Sequence, residues 1–266
     1  MEYIDFHVHA FAEKIAQRTL SGLSDTIKRT PATDGTFPDT KDKMRQWGAD
    51  GFVLLSIATK PSQHEVCNNW AAAQKADNVF PFGSVHPDGE DVFAELERIK
   101  SLGLYGVKFH PDYQDFFADE ERLFPIYRKC GELGLPVILH AGVDPVSPDY
   151  VHCTPEMAEK FLHAAPDTTF IMAHMGGFGM WDDVERILAG NYGNLYLDTA
   201  LAGTYMGEEQ ILRIIKKHGA DRILLASDCP WDRTDITIQK IKRLGLSAEE
   251  QRLIFSENAK KLLNLK

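Results

Sequence analysis

The sequence lacks the features that direct a chain to a membrane or to a disulfide framework. Its 266 residues contain no apolar run long enough to span a bilayer, and strand-like sequence starts so early that we expect no signal peptide. The four cysteines are widely separated and form no Cys-x-x-Cys pair. This pattern predicts reduced thiols in a cytoplasmic protein, and it excludes a thiolate zinc site.

Positive charge is also scarce. The chain has 29 Lys and Arg residues against 39 Asp and Glu residues, a formal net charge of −10, which argues against a nucleic acid or an anionic membrane as its main partner. We therefore expect a small-molecule substrate, and homo-oligomerisation stays open. No Gly-x-Gly-x-x-Gly turn follows the first apolar segment, which counts against a dinucleotide-binding, doubly wound sheet.

Short apolar segments alternate with helical patterns about eight times, without a change of composition that would mark a domain boundary. This predicts a single α/β domain over residues 1–266 with the (β/α)8 TIM-barrel fold; an open doubly wound sheet is the competing architecture. The residues from about 21 to 40 are rich in Thr, Ser, Asp, Gly and Pro and predict a long loop. A C-terminal helix is expected at about 247–263, opened by a capping box of Ser247 and Glu250.

Polar side chains follow the apolar segments where each predicted strand ends. In the first strand, His7 and His9 point to the same face because side chains alternate along a strand. Two buried imidazoles side by side suggest a divalent metal, although this motif alone is equally consistent with a polar strand end. If the barrel is correct, chemistry belongs at these ends. The strand-end residues are His7, His9, Ser56, His86, Lys108, His110, His140, His174, Asp198 and Asp228.

Five of these strand ends together resemble the motifs of the amidohydrolase superfamily. They are similar in particular to its amidohydrolase-related branch, which also contains metal-dependent decarboxylases. The motifs are DFHVH at 5–9, GVKFHP at 106–111, LHAG at 139–142, AHMGG at 173–177 and ASDCP at 226–230. The segment SENAKKL at 256–262 is similar to the C-terminal helix of the family.

The resemblance implies that His7, His9, His140 and Asp228 bind a divalent metal. It also implies that His174 lies beside this metal as an acid/base or as a further ligand. Imidazoles and one carboxylate around an open position suit zinc best, with manganese, iron or cobalt as alternatives. A metal-activated water could then attack the substrate, with Asp228 as the proton acceptor.

The strand carrying Lys108 leaves the number of metals open. Binuclear members of the superfamily have a bridging carboxylated lysine on the corresponding strand, but here His110 follows two residues later, which is the pattern of the mononuclear branch. We therefore favour one metal, with Lys108 or His110 orienting the substrate or pairing with Asp228. A buried lysine in an ion pair is the alternative for Lys108.

Residues after the last predicted strand suggest the kind of ligand. Trp231 supplies an aromatic wall and Arg233 a guanidinium, which together suit a small cyclic or aromatic carboxylate. Such aromatic side chains could equally pack loops against the barrel.

The sequence therefore predicts a metal-dependent hydrolase that acts on a C–O or C–N bond of a small substrate. The first alternative is a non-oxidative decarboxylase, in which His174 handles the proton. The second is a barrel that binds a metabolite without turnover. A metal-dependent nuclease of the same superfamily is disfavoured by the acidic charge and by Lys108, where that group would use a glutamate ligand.

Overall fold

Eight β-strands alternate with helices along the chain, and the computed structural model describes residues 1–265. Every strand residue is buried, as expected for parallel strands covered on both faces. The strands are β1 (Ile4–Val8), β2 (Gly51–Leu55), β3 (Val79–Phe82), β4 (Val107–Phe109), β5 (Val137–Leu139), β6 (Phe170–Met172), β7 (Leu195–Asp198) and β8 (Ile223–Leu224).

The helices between and after the strands give the alternation that the sequence predicted. They are α1 (Glu13–Ile27), α2 (Phe37–Gln46), α3 (His64–Ala73), α4 (Val92–Ser101), α5 (Pro111–Gln114), α6 (Phe124–Glu132), α7 (Pro155–Ala164), α8 (Trp181–Asp183), α9 (Ala202–Tyr205), α10 (Glu208–His218), α11 (Thr234–Arg243), α12 (Ala248–Arg252) and α13 (Asn258–Leu263). Within residues 1–265, no helix is both long and apolar enough to cross a membrane.

The strands form one sheet of order β1-β2-β3 and one of order β4-β5-β6-β7-β8. The pairs β1–β2, β4–β5, β5–β6 and β6–β7 are parallel. Consecutive parallel strands joined through helices are the repeating pattern of α/β proteins.

Two units are distinguished within the chain. Unit 1 consists of Met1–Leu55, Gln74–Phe80 and the residues from Asp198 onward, and unit 2 of Ser56–Ala73 and Pro81–Leu197. The expectation of a single domain over 1–266 stays a prediction.

In unit 1, β1 is hydrogen-bonded on both sides. Ile4 lies opposite Gly51 of β2, and the N–H of Phe6 donates to the carbonyl of Leu225, just after β8, at 2.7 Å. Because both edges of β1 are paired, the strand end that bears His7 is held in place.

In unit 2, the register of three strands brings their C-terminal ends to one level. Phe109 of β4 lies opposite Leu139 of β5, which in turn lies opposite Met172 of β6. The residues that directly follow β4 and β5 are His110 and His140, so these two histidines emerge side by side.

An aromatic cluster packs beneath those strands in unit 2. The ring of Tyr127 lies 5.8 Å from that of Phe109, 5.7 Å from that of Phe161 and 5.5 Å from that of Phe170. All four side chains are buried, so they anchor α6 and α7 against the strands.

The long loop expected at about 21–40 is shorter than predicted. Helix α1 continues to Ile27, because Leu20, Leu23 and Ile27 recur at helical spacing. Leu20 is buried and the other two are partly buried, while Ser21 and Thr26 are exposed. Helix α2 already begins at Phe37, where the side chain of Thr36 caps the helix by accepting from a backbone N–H. Only residues 28–36 connect the two helices.

The C-terminal helical segment matches its predicted position. Ser247 and Glu250 form the expected capping box at the start of α12. A π-helical turn, Leu253–Glu257, joins α12 to α13, which ends at Leu263.

Candidate metal centre

Two histidines at the end of β1 face each other, as the alternation of side chains predicts. Nε2 of His7 lies 3.1 Å from Nε2 of His9. The side chain of the intervening Val8 is buried in the core. His7 is 1% exposed and His9 9%. The two imidazoles therefore form a shielded pair on one face of the strand.

Asp228 joins this pair through the backbone that follows β8. Its N–H donates to the carbonyl of His7 at 3.0 Å, and the N–H of His9 donates to the carbonyl of Cys229 at 2.7 Å. Asp228 has φ +73°, a left-handed conformation that is uncommon outside glycine. This turn directs its carboxylate at the histidines.

The three ligand atoms form a nearly regular triangle. Oδ1 of Asp228 lies 3.2 Å from Nε2 of His7 and 3.5 Å from Nε2 of His9. Ligands about 2.0–2.1 Å from a tetrahedral cation are separated by roughly 3.3–3.4 Å, so the triangle has the dimensions of one face of such a site.

Hydrogen bonds to the opposite ring nitrogens fix the tautomers of both histidines. Nδ1 of His7 lies 2.7 Å from Oδ2 of Asp198, and Nδ1 of His9 lies 2.9 Å from the carbonyl oxygen of Leu55. A carbonyl can only accept and a carboxylate favours a donor, so both Nδ1 atoms carry the proton.

As a result, two neutral imidazoles and a carboxylate turn their lone pairs toward one point. This arrangement is repulsive unless a proton or a cation lies between the three atoms. Two nitrogens and one oxygen with hydrogen-bonded outer partners match a divalent metal site, in which ligating histidines are held by carboxylates or carbonyls. His7, His9 and Asp228 therefore fit a metal ion.

Other buried carboxylates add negative charge to unit 1. Burial raises the pKa of Asp5 to about 6, against hydrogen bonds that lower it. Burial also raises the pKa of Asp232, and the charge of Asp228 adds to this rise. A positive ion nearby would stabilise the charged forms of these carboxylates, so they favour the binding of a cation in unit 1.

The remaining histidines of the predicted site lie in unit 2. Nδ1 of His140 lies 2.9 Å from Nε2 of His174, so one of these nitrogens donates to the other. His174, in the turn after β6, is 2% exposed and has φ +59°, and its carbonyl accepts the indole N–H of Trp181 at 3.0 Å. This contact fixes the strained turn.

His110 and His140 also approach a carboxylate that the sequence analysis did not select. Oδ2 of Asp144 lies 3.6 Å from Nε2 of His110 and 3.5 Å from Nε2 of His140. Oδ2 of Asp112 lies 3.8 Å from Nδ1 of His110 and 3.9 Å from Nε2 of His140. Unit 2 thus contains a second buried group of histidine and aspartate side chains.

The ring geometry of this second group disfavours a shared metal ion. The imidazoles of His110 and His140 are stacked, with centroids 4.2 Å apart and planes at 10°, and Tyr113 stacks on the other face of His110 at 3.7 Å. Lone pairs in two parallel planes do not converge on one cation. The two rings instead stack beside the carboxylate of Asp144.

The other predicted site residues have varied surroundings. Lys108 is fully buried on β4. Trp231 is half-buried, and its backbone N–H donates to the carbonyl of Asp228 at 2.8 Å. Arg233 is exposed, where its guanidinium pairs with Asp235 at 2.6 Å. The substrate-binding roles predicted for Lys108, His110, Trp231 and Arg233 stay predictions.

Two aspartates that approach His110 and His140 were not among the predicted site residues, and neither was the buried Asp232. Asp112 and Asp144 follow β4 and β5 by a few residues, and Asp232 lies between the two residues chosen after β8. Their position just beyond strand ends was the available signal, but acidic residues in loops are too common for it to be specific. Asp198 was noted only as a strand end, and its contact with His7 required the structure.

Sequence comparison places the chain in a known family. A sequence model of the family described as Amidohydrolase (Amidohydro_2) matches residues 4–265. The chain belongs to the amidohydrolase family. This confirms the resemblance seen in the strand-end motifs. No curated protein matches the chain in sequence.

Solved structures share the fold over almost the whole chain. An uncharacterized TIM-barrel protein from Bordetella bronchiseptica has 20% identity and a TM-score of 0.79, and the match covers 99% of both chains. A dihydroxybenzoic acid decarboxylase from Polaromonas, with bound manganese and the inhibitor 2-nitroresorcinol, has 17% identity and a TM-score of 0.73, covering 99% of this chain and 97% of that one. A candidate 2-pyrone-4,6-dicarboxylic acid hydrolase from Pseudomonas putida has 18% identity and a TM-score of 0.68, with the same coverage.

These likenesses confirm that the amidohydrolase chain has the α/β TIM-barrel fold. At such low identity they establish the fold alone, and the neighbours include both reaction types.

Proposed function

We propose that this amidohydrolase is a metal-dependent hydrolase that uses a metal-activated water on a C–O or C–N bond of a small cyclic or carboxylate-bearing substrate. The observation that carries the proposal is the convergence of His7 Nε2, His9 Nε2 and Asp228 Oδ1 at 3.1–3.5 Å, with both Nδ1 atoms held as donors. A divalent ion bound there would supply a Lewis acid and lower the pKa of a bound water.

The proposed ligands are His7, His9 and Asp228, with His140 as a fourth that rests on the resemblance to the family. If Nδ1 of His140 donates to His174 Nε2, Nε2 of His140 keeps the lone pair that a metal ligand needs. We propose a single zinc ion, because two or three imidazoles with one carboxylate suit zinc, and manganese is the main alternative.

The chain's own groups would handle the protons. Asp228 would accept a proton from the attacking water and return it to the leaving group. His174, buried and hydrogen-bonded to His140, would hydrogen-bond the reacting carbonyl oxygen and stabilise the charge that develops on it.

A decarboxylase is the second candidate, and it is favoured by the similarity to the manganese-bound dihydroxybenzoic acid decarboxylase. The same residues would hold a divalent ion that binds the carboxylate of the substrate and a neighbouring oxygen, and His174 would deliver the proton that replaces carbon dioxide. A barrel that binds a metabolite without turnover is the remaining alternative.

The proposed setting is the cytoplasm, and the proposed partner is a small molecule. All four cysteines are free, and three of them are buried. Burial raises the pKa of Cys67 to about 12 and also raises that of Cys130 and Cys153, which makes these thiols poor nucleophiles and supports a structural role for them.

Isotope labelling during turnover distinguishes the two reactions. Protein reconstituted with zinc or manganese is incubated with lactones, esters and amides, including 2-pyrone-4,6-dicarboxylate, and separately with hydroxybenzoates. Hydrolysis inserts one oxygen-18 atom from labelled water into the product, whereas decarboxylation releases carbon dioxide and inserts deuterium from D2O at carbon. We expect the first result, and His9→Ala as the control should abolish it. Carbon-bound deuterium with carbon dioxide release would overturn the hydrolase proposal in favour of the lyase.

A further inference from the structure

Asp5 is a fully buried carboxylate that the proposed reaction does not use. It lies on β1 two residues before His7, and both of its oxygens accept hydrogen bonds. Oδ1 accepts from the backbone N–H of His7 at 3.0 Å and of Ser227 at 3.1 Å, and Oδ2 accepts from the hydroxyl of Thr234 at 2.5 Å.

The two bonds to Oδ1 reach the two chain segments that carry the candidate ligands. His7 is itself a ligand, and Ser227 immediately precedes Asp228, so one oxygen atom links both segments. The bond to Oδ2 reaches Thr234, the first residue of α11. The loop between Asp228 and α11 is therefore fixed at both ends by the same side chain.

Asp228 needs such fixing because of its backbone conformation. A non-glycine residue in the left-handed region is strained, and it persists only where the surroundings determine it. With φ +73°, Asp228 is held by its own N–H to the carbonyl of His7 and by the N–H of Trp231 to its carbonyl. The bond from Ser227 to Asp5 fixes the peptide on the other side of the turn.

We infer that Asp5 is a positioning residue that sets the metal ligand Asp228 opposite His7 and His9 before any metal binds. This inference rests on the proposed metal site. It assigns to Asp5 an effect on metal affinity that is separate from its contribution to folding, because the residue touches neither the proposed metal nor the substrate.

Two pairs of variants test the inference with direct metal binding. Asp5→Ala removes the acceptor contacts to His7, Ser227 and Thr234, whereas Asp5→Asn keeps an oxygen for the two backbone N–H groups. In the second pair, Thr234→Val removes the hydroxyl and Thr234→Ser keeps it. Affinity for Zn²⁺ is measured by competition with a chromophoric chelator, and the site geometry by the visible absorption of bound Co²⁺.

We expect Asp5→Ala to weaken zinc binding by about 10–100-fold and to change the Co²⁺ spectrum, as loss of an outer partner of a metal site usually does. Asp5→Asn should recover most of the affinity, and Thr234→Ser should bind more tightly than Thr234→Val. The matched control is Glu95→Gln, a buried carboxylate of unit 2, which should lower the melting temperature without changing zinc affinity.

Each result decides the inference. If folded Asp5→Ala binds zinc as tightly as the wild type, Asp5 is only structural and the inference is wrong. If Asp5→Ala does not fold, equal affinities of Thr234→Val and Thr234→Ser overturn it. A wild-type protein that binds no metal would overturn the proposed function as well, so the two failures are distinguishable.

Discussion

Nδ1 of His7 lies 2.7 Å from Oδ2 of Asp198, a fully buried carboxylate at the end of β7. Oδ1 of Asp198 is itself fixed, because it accepts the N–H of Ala200 at 3.0 Å. The carboxylate therefore holds both the orientation and the tautomer of the imidazole, and it raises the basicity of Nε2 on the opposite side of the ring.

Replacing Asp198 with asparagine should weaken metal binding. The amide cannot supply the negative charge that favours the Nδ1–H form of His7, so we expect zinc affinity to fall by about 10–100-fold while the protein remains folded. Chelator competition measures the affinity, and circular dichroism checks the fold. The control is Asp221→Asn, an exposed carboxylate that pairs with Arg222. Unchanged affinity in Asp198→Asn would show that His7 does not depend on this partner.

The contact between His140 and His174 at 2.9 Å leads to a second prediction. His140→Ala should lose metal and activity together, because it removes a proposed ligand. His174→Ala should keep the metal and lose activity, because it removes a proposed substrate contact. Metal content of the purified variants is measured by atomic absorption, and activity with the substrate identified as above. His163→Ala, on the exposed face of α7, should keep both. A metal-free His174→Ala protein would mean that His174 is a ligand.

Gly142, in the motif that follows β5, should tolerate no side chain. A Cβ atom there would lie 2.0 Å from the backbone nitrogen of Phe178, and φ is +87°. Gly142→Ala must therefore displace the backbone, in addition to the roughly 1–2 kcal/mol of a left-handed alanine. Gly179→Ala is the matched control, because φ is +75° but the nearest atom would be 3.7 Å away. Thermal unfolding should show a much larger loss of stability for Gly142→Ala, and equal losses would contradict the steric explanation.

Glu95 should contribute stability that depends on pH. Burial raises its pKa, but hydrogen bonds from Arg98 and Asn68 outweigh this and lower the pKa below its ordinary value of 4.5. A lowered pKa in the folded state means that the contribution is fully present above about pH 4.5 and is lost as the pH falls through the lower, folded-state pKa.

Glu95→Gln should therefore be destabilised at neutral pH, by about 1–3 kcal/mol for the loss of hydrogen bonds to a charged group. Urea unfolding of the wild type and the variant at pH 7 and pH 3 measures the difference. We expect the difference to shrink at the lower pH. A difference that does not change with pH would show that the charge of Glu95 is not what stabilises this network with Arg98 and Asn68.

The sequence by itself determined the order of strands and helices and the histidines at the strand ends. These features depend on local rules, since side chains alternate along β1 and parallel strands place polar residues where the apolar run stops. His7 and His9 could therefore be paired before the structure was known. The extent of α1 was underestimated because Ser and Thr in its exposed face resemble loop composition.

The tertiary structure decided which groups converge and how they are protonated. Asp228 meets His7 through a left-handed turn, and Asp198 reaches the same imidazole from 191 residues along the chain. No local pattern encodes such contacts, because they depend on the register of strands that are distant in sequence. The same register stacks His110 on His140, and it is this stacking that distinguishes the second histidine group from the candidate metal centre.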